Sequence, residues 1–379
     1  MSNGLNFSRR LRRTPYTERV EQAGVRGFSI VNHMLLPKAF APSVEEDYWH
    51  LRQHVQVWDV SCQRQVEIEG PDAARLVQWM TPRDIGKARV GDCLYVPLID
   101  DEAGLINDPV LLKLSEDRFR LSIADSDVLL FAKGIAMGKG WSARIHEPDV
   151  SPLAVQGPNA ENLMADLFGP EIRKIGFFKF AMFDFMGTRQ IVARSGYSRQ
   201  GGFEIYLEGG HMGAALWDAV WQAGQPYGIT PGCPNLIERI EGGLMSYGNE
   251  MTRENNPLEI GLAKFCALDG RVDYAGRAAL QALATQGPAR MIRGVVFGGG
   301  RCPTCAQPWP VMDGDHRVGQ VTSAIWSPRM GANVALGMVD RSHWADGTRI
   351  IVASADGAVR PGYVSDLPIE PRAAVEVTP

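Results

Sequence analysis

The strongest constraint in this chain is a unit that occurs twice. EIEGPDAARLVQWM and SPLAVQGPNAENLMADLFG both read as a strand, a Gly-Pro-polar corner and an amphipathic helix. A strand–corner–helix unit used twice predicts two related sub-domains packed side by side. The length agrees, since 379 residues exceed what one small core organises and domains run to roughly 100–200 residues.

Residues 1–40 look irregular. EEDYWHLRQHVQVWDVS then predicts a helix entering a short strand, and QVEIEG a strand closing at Gly70. YVPLID, GLINDPVLLKLS and RFRLSIA read as antiparallel strands, with a hairpin turn over Asp101 to Gly104. FAMFDFMGTRQIVARSGYSRQGGFEIYLEGG reads as three strands, followed by the helix GAALWDAVWQAG. After the helix GRAALQAL and the polar stretch QALATQGPAR, the pattern changes. RGVVFGG, RVGQVTSAIW, ANVALGMVD, RIIVAS and GYVSDL are short strands between Gly-rich turns, the pattern of a small β-barrel or sandwich. The expected class is α+β, with a domain over 1–286 and a β-barrel-like domain over 287–379.

Composition narrows the function classes. A net charge of −4 gives no global attraction to a phosphate backbone, so nucleic acid is excluded as the default partner. No stretch approaches the roughly 20 apolar residues of a membrane helix, and no apolar core follows the basic start, so a soluble, cytoplasmic protein is expected. Arg9, Arg10, Arg12 and Arg13 read as a solvated arm. Cys302 and Cys305 form a lone CxxC with no second pair to complete a zinc shell, so no metal is expected and the two read as reduced thiols in a turn. No G-x-S-x-G, GxGxxG or HExxH is present, which removes the nucleophile-elbow, dinucleotide and zincin readings.

Three stretches carry candidate chemistry. In SGYSRQGGFEIYL, Gly201-Gly202 suits a turn with positive φ, after which Phe203, Ile205 and Leu207 face one way and Glu204 and Tyr206 the other. A carboxylate and a phenol side by side, with Tyr197 just before, either line a polar pocket or form a solvated face. In GLINDPVLLKL, Asn107 and Asp108 stand at a strand start before Pro109, where an acidic residue either ends a turn or faces a site. In IEGGLMSYGNEMTRENNPLEIGL, Gly242-Gly243 falls inside a helical pattern, with Tyr247 and Glu250 beyond it.

Taken in order, these stretches resemble the aminomethyltransferase (glycine-cleavage T-protein) family. SGYSRQGGFEIYL resembles its G-Y-[ST]-x-x-x-G-[FY]-E-[IV] motif, AGLINDPVLLKL its acidic strand, and VGQVTSAIWSPRMGANVALGMV its C-terminal signature. The resemblance implies a ring of three sub-domains around a central folate channel, closed by the barrel domain. It implies tetrahydrofolate as cofactor, Glu204 on the donor nitrogens of the pterin, and Tyr206 and Tyr247 flanking the channel. Asp108 matches the second acidic position of the acidic strand, where it would act by charge or accept the N5 proton. Asn107 departs from the first, which counts against plain aminomethyl transfer to a lipoyl carrier.

Within the family the chain most resembles the branch that demethylates dimethylsulfoniopropionate, through SRRLRRTPYTERVEQAGVRGFSIVNHMLLP, NDPVLLKLSEDRFRLSIADSD and GFFKFAMF. That implies a small-molecule methyl donor, with Asp108 and Tyr206 as catalytic residues, Tyr95, Tyr197 and Tyr247 joining Glu204 as cofactor-binding residues, and Tyr95, Tyr197 and Tyr206 as rings for a sulfonium. Tyr197 stands where that branch is expected to carry tryptophan, which leaves a quaternary ammonium or a methoxy-arene as other donors. A non-catalytic folate-binding protein is the reading from another class. A homodimer is the assembly the sequence leaves open.

Overall fold

The computed structural model describes residues 8–371. They form two compact units. The first takes in the described residues up to Leu76, Ala88–Leu94 and Pro109–Pro234; the second takes in Val77–Lys87, Tyr95–Asp108 and the described residues from Asn235 on.

The first unit is built on two sheets. The larger has the order Phe180–Phe185, Thr188–Ala193, Gly202–Glu208, Val150–Gln156, Val55–Asp59, Ile229–Gly232. Its pairings are antiparallel except the last, Ile229–Gly232 on Val55–Asp59. The other runs Arg144–His146, Gln65–Glu69, Arg118–Ser122, Val110–Ser115, Cys93–Tyr95. Strand alternation divides the larger sheet as expected. Phe203, Ile205 and Leu207 join Val55, Val57, Leu153 and Val155 under the helices Ala160–Phe168 and Gly213–Gly224. Tyr206 instead lies in a second cluster with Cys93, Leu112, Val150, Ile191 and Ala193.

The repeated unit is present in both copies. Strand Gln65–Glu69 leads to helix Ala73–Met80, and strand Val150–Gln156 to helix Ala160–Phe168. The corner glycines share one backbone state, φ +121° at Gly70 and +124° at Gly157. Only glycine reaches it without strain, and at Gly157 an added Cβ would stand 2.4 Å from the His54 carbonyl oxygen. Gly157→Ala is therefore expected to lower stability by at least about 2 kcal/mol. Equilibrium urea unfolding reads this directly, and an unchanged midpoint would contradict it.

Several expectations need correction. The described part of the N-terminal region carries regular structure: helix Thr17–Gln22 is followed by a hairpin, Gly27–Val31 with Met34–Ala39. Its turn places Asn32 and His33 at φ 52° and 60°. The Asn32 side-chain amide holds that turn by donating to the carbonyls of Cys62 and Ala124, both at 2.9 Å. The arginine arm is not simply solvated, since Arg12 pairs with Glu147 at 2.9 Å and Arg13 with Glu21 at 2.5 Å. GLINDPVLLKLS is two strands, Leu105–Asn107 and Val110–Ser115, which lie in different sheets. Asp108 therefore sits at a break rather than at a strand start, because Pro109 offers no N–H to continue a ladder. Gly243, at φ 66°, ends the helix Leu236–Gly242 instead of lying inside it.

The second unit carries the barrel. Six strands close in the order Arg290–Phe297, Ala332–Asp340, His316–Ser327, Trp309–Asp313, Arg349–Ala353, Val359–Ser365. Val295, Phe297, Val311, Val321, Ala335 and Val352 belong to one core cluster. Alternate residues such as Ile292, Val296 and Leu336 pack with Ile240, Leu258 and Leu280 in another. Strand Trp309–Asp313 was not expected, because Pro308 and Pro310 on either side of Trp309 read as a turn. No helix among the described residues is long and apolar enough to cross a membrane.

Candidate active site

In the first unit, Glu204 lies on the central strand Gly202–Glu208 and is 4% exposed. The preceding Gly201-Gly202 turn has φ 78° and 147°. A Cβ on Gly202 would meet the Val155 carbonyl oxygen at 2.3 Å, so glycine lets the strand enter the sheet here. In the sheet register Glu204 stands between Ala193 and Ala154, and Trp58 follows Ala154 in the same row. Both strand neighbours of the carboxylate are therefore small side chains. Tyr197 packs against the cluster of Leu51, Trp58, Val60 and Ala154.

The solvated-face alternative for Glu204 and Tyr206 fails, since both are buried. The Ser195 hydroxyl donates to Glu204 Oε2. Burial raises the carboxyl, the Ser195 and Tyr206 hydroxyls pull it back, and it remains above its ordinary value. A buried carboxylate raised in this way is short of donors and suits a ligand that brings N–H groups. Tyr206 is fully buried, and its hydroxyl makes no hydrogen bond of full geometry. It serves as support beside Glu204 more readily than as an exposed ring for a cation.

The second unit holds the other candidates. The Tyr95 hydroxyl donates to Asp108 Oδ2 at 2.7 Å, and the Asp108 backbone N–H donates to Asn107 Oδ1 at 3.0 Å. Asp108 is half-buried as a residue, but its Oδ1 is fully enclosed and takes no hydrogen bond. Burial pushes its carboxyl up, Tyr95 lowers it, the Glu250 carboxylate raises it, and the value reaches about 7. A carboxylate at about 7 accepts and releases a proton near neutral pH. Tyr95 is set edge-on to Phe265, with ring centroids 5.6 Å apart, and its carbonyl oxygen accepts from Arg83 at 2.6 Å. The Tyr247 hydroxyl donates to the Leu105 carbonyl oxygen at 2.8 Å, fixing the strand that ends at Asn107. Glu250 is held by Arg239 at 2.7 Å and by the Ser246 N–H at 2.8 Å, with the Ser323 hydroxyl as a further donor.

Thus Tyr95, Asn107 and Asp108 are joined, with Tyr247 on the neighbouring backbone, while Glu204, Tyr206 and Tyr197 share one region of the first unit. Ser195 and Phe265 were missed. Ser195 was within the SGYS stretch, but only its hydrogen bond in the folded chain shows that it caps Glu204. Among the described residues, one three-residue group has metal-ligand character, Glu67, Glu69 and His146. Arg118 and Arg120 already pair with Glu67, and Arg144 with Glu69, so the group is an ion-pair network. Burial raises the Cys302 thiol, and raises Cys305 to about 11, which disfavours the thiolate a metal or redox role needs.

The GCVT N-terminal domain model matches residues 16–270 and the glycine cleavage T-protein C-terminal barrel domain model residues 290–369. The chain belongs to the glycine-cleavage T-protein family. Among members of this T-protein family it is 53% identical to the dimethylsulfoniopropionate demethylase DmdA of Ruegeria pomeroyi, over 94% of this chain and 98% of that one. It is 31% identical to an aminomethyltransferase of Symbiobacterium thermophilum, over 82% of this chain and 85% of the relative. The T-protein fold is evident in the crystal structure of the aminomethyltransferase of Bartonella henselae, which superposes with a TM-score of 0.84 at 24% identity and covers 95% of this chain and 98% of that one.

Proposed function

We propose that this protein is a tetrahydrofolate-dependent demethylase that moves a methyl group from dimethylsulfoniopropionate to N5 of tetrahydrofolate. The carrying observation is the 53% identity to a dimethylsulfoniopropionate demethylase, which extends over nearly all of both chains. The C–S bond breaks as the C–N5 bond forms, the N5 proton is lost, and the products are methylthiopropionate and 5-methyltetrahydrofolate. The six cysteines are free thiols, as suits the reducing cytoplasm in which we place the reaction.

The residues fit that chemistry. Glu204, raised by burial and flanked by alanines, suits the adjacent N–H groups of the pterin. A sulfonium methyl is already electrophilic and its leaving thioether is neutral, so alignment and exclusion of water supply most of the acceleration. Asp108 is the group suited to take the N5 proton, and Tyr95 both orients it and tunes its affinity. Tyr95→Phe removes the hydrogen bond that lowers the Asp108 value, so Asp108 ionises at higher pH. The rising limb of the pH–rate profile should then move to higher pH, with the plateau rate little changed. An unmoved limb would sever Tyr95 from Asp108.

Donor identity is tested by thioether release. Dimethylsulfoniopropionate is expected to yield methylthiopropionate only when tetrahydrofolate is present, with glycine betaine and methoxybenzoate left intact. Release without folate, or preference for either other donor, would contradict the proposal.

A further inference from the structure

Between the two sheets of the first unit lies a buried polar layer that the roles above do not use. Arg120, on strand Arg118–Ser122, is 1% exposed. Its Nε and Nη2 donate to Glu67 Oε2 at 3.0 and 2.7 Å, and Nη2 also reaches Glu208 Oε1 at 2.7 Å. Glu208 belongs to the opposite sheet, on the same strand and the same side as Tyr206 and Glu204. The ion pairs thus engage Nε and Nη2 and leave Nη1, which is buried without a partner.

Further orphaned atoms lie on the same strand faces: the Tyr206 hydroxyl, Gln65 Oε1 and, in register with Glu67, His146 Nδ1. Gln65 is in register with Ser122, one strand position pair along from Glu67 and Arg120. Its Nε2 is committed to the Ser122 hydroxyl at 2.9 Å, which itself donates to Gln63 Oε1 at 3.0 Å. The Tyr206 hydroxyl is under the influence of Glu204, Cys93, Ser122 and Arg120 together. Leaving buried polar groups unsatisfied is costly, and water that meets two to four such partners is a standard component of interiors. The free N–H of Arg120, the free oxygen of Gln65 and the Tyr206 hydroxyl are one donor, one acceptor and one group able to act as either.

We infer that Arg120 is a positioning residue for folate binding, acting through water held between the sheets by Arg120, Gln65 and Tyr206. That water fixes the Tyr206 hydroxyl, which lies on the same side of the strand as Glu204 and lowers its carboxyl. The inference rests on the proposed binding of folate at Glu204.

Arg120→Lys is the discriminating variant, because a lysine keeps the charge opposite Glu67 and Glu208 but lacks the donor that Nη1 supplies. Tetrahydrofolate affinity is measured by titration calorimetry for the wild type, Arg120→Lys, Tyr206→Phe and the double variant. Each single change is expected to weaken binding about 3- to 10-fold. The double variant should be no weaker than the worse single one, because both changes break one relay. The KM for tetrahydrofolate should rise while kcat at saturation holds. Gln65→Met attacks the same water without touching the ion pairs, so it keeps the test open should Arg120→Lys fold poorly; its effect should also be absorbed in a Tyr206→Phe background. Wild-type affinity in Arg120→Lys or, where that variant folds poorly, in Gln65→Met would overturn the inference. So would multiplying effects in the double variant. Failure of the wild type itself to bind tetrahydrofolate would instead remove the folate reading, and this inference with it.

Discussion

Replacing Asp108 with asparagine is expected to lower kcat by about 10²- to 10⁴-fold, the range for loss of a positioned general base. The wild-type rate should rise with pH through the region of about 7 and then level off, because only the ionised carboxylate accepts the N5 proton. In Asp108→Asn the residual rate should lose that limb. Stability separates this from misfolding. The carboxyl ionises at about 7 in the folded chain, above its ordinary value. The folded state therefore holds the proton more tightly than the unfolded state does. Its contribution to stability is fully present below the ordinary value and is lost as pH rises through about 7. Asparagine carries no such charge, so above neutral pH the variant should be at least as stable as the wild type. A slow variant that melts normally and has a flat profile supports the base role. A variant that keeps its turnover contradicts it.

Glu204→Gln is the second large effect. Two charge-assisted hydrogen bonds to a pterin are worth about 1.5–3 kcal/mol each. Their loss should weaken tetrahydrofolate binding by roughly 100-fold or more, since about 1.4 kcal/mol is tenfold. Glutamine also presents an amide donor where the ligand brings donors of its own. The fold should not suffer. Burial raises the Glu204 carboxyl, so its ionisation costs the folded state stability as pH rises, and a neutral amide removes that cost. Equilibrium titration with tetrahydrofolate reads the loss, and an affinity within a few-fold of the wild type would remove Glu204 from the folate site.

The architecture was legible wherever periodicity and turn chemistry agreed. The Gly-Pro corners at Gly70 and Gly157 announced the repeat, and short strands between glycines announced the barrel. The misses have local causes. Asn32 and His33 form a hairpin turn without the usual glycine, and the bonds that hold it come from Cys62 and Ala124, far along the chain. Strand Trp309–Asp313 hides between prolines, and its place is set by pairing with His316–Ser327 and Arg349–Ala353.

The candidate site divides in the same way. Glu204 was visible because a carboxylate followed a Gly-Gly turn in an apolar strand. Its environment was not, because Ala193, Ala154 and Ser195 meet it only through register and side-chain contact. Arg120 and Glu67 were not singled out from the sequence, yet they face each other across the sheet in register and lie almost fully buried. Complementary charge at matching positions of two strands was the signal available.

The most direct measurement follows the methyl group itself. Purified enzyme is given tetrahydrofolate and dimethylsulfoniopropionate with deuterated S-methyl groups, and both products are analysed by mass spectrometry. Transfer to N5 gives 5-methyltetrahydrofolate carrying all three deuterons, in equal amount with methylthiopropionate that keeps one labelled methyl. Unlabelled 5-methyltetrahydrofolate, a methylene-folate product, or thioether formed without methylated folate would contradict methyl transfer as the function of this protein.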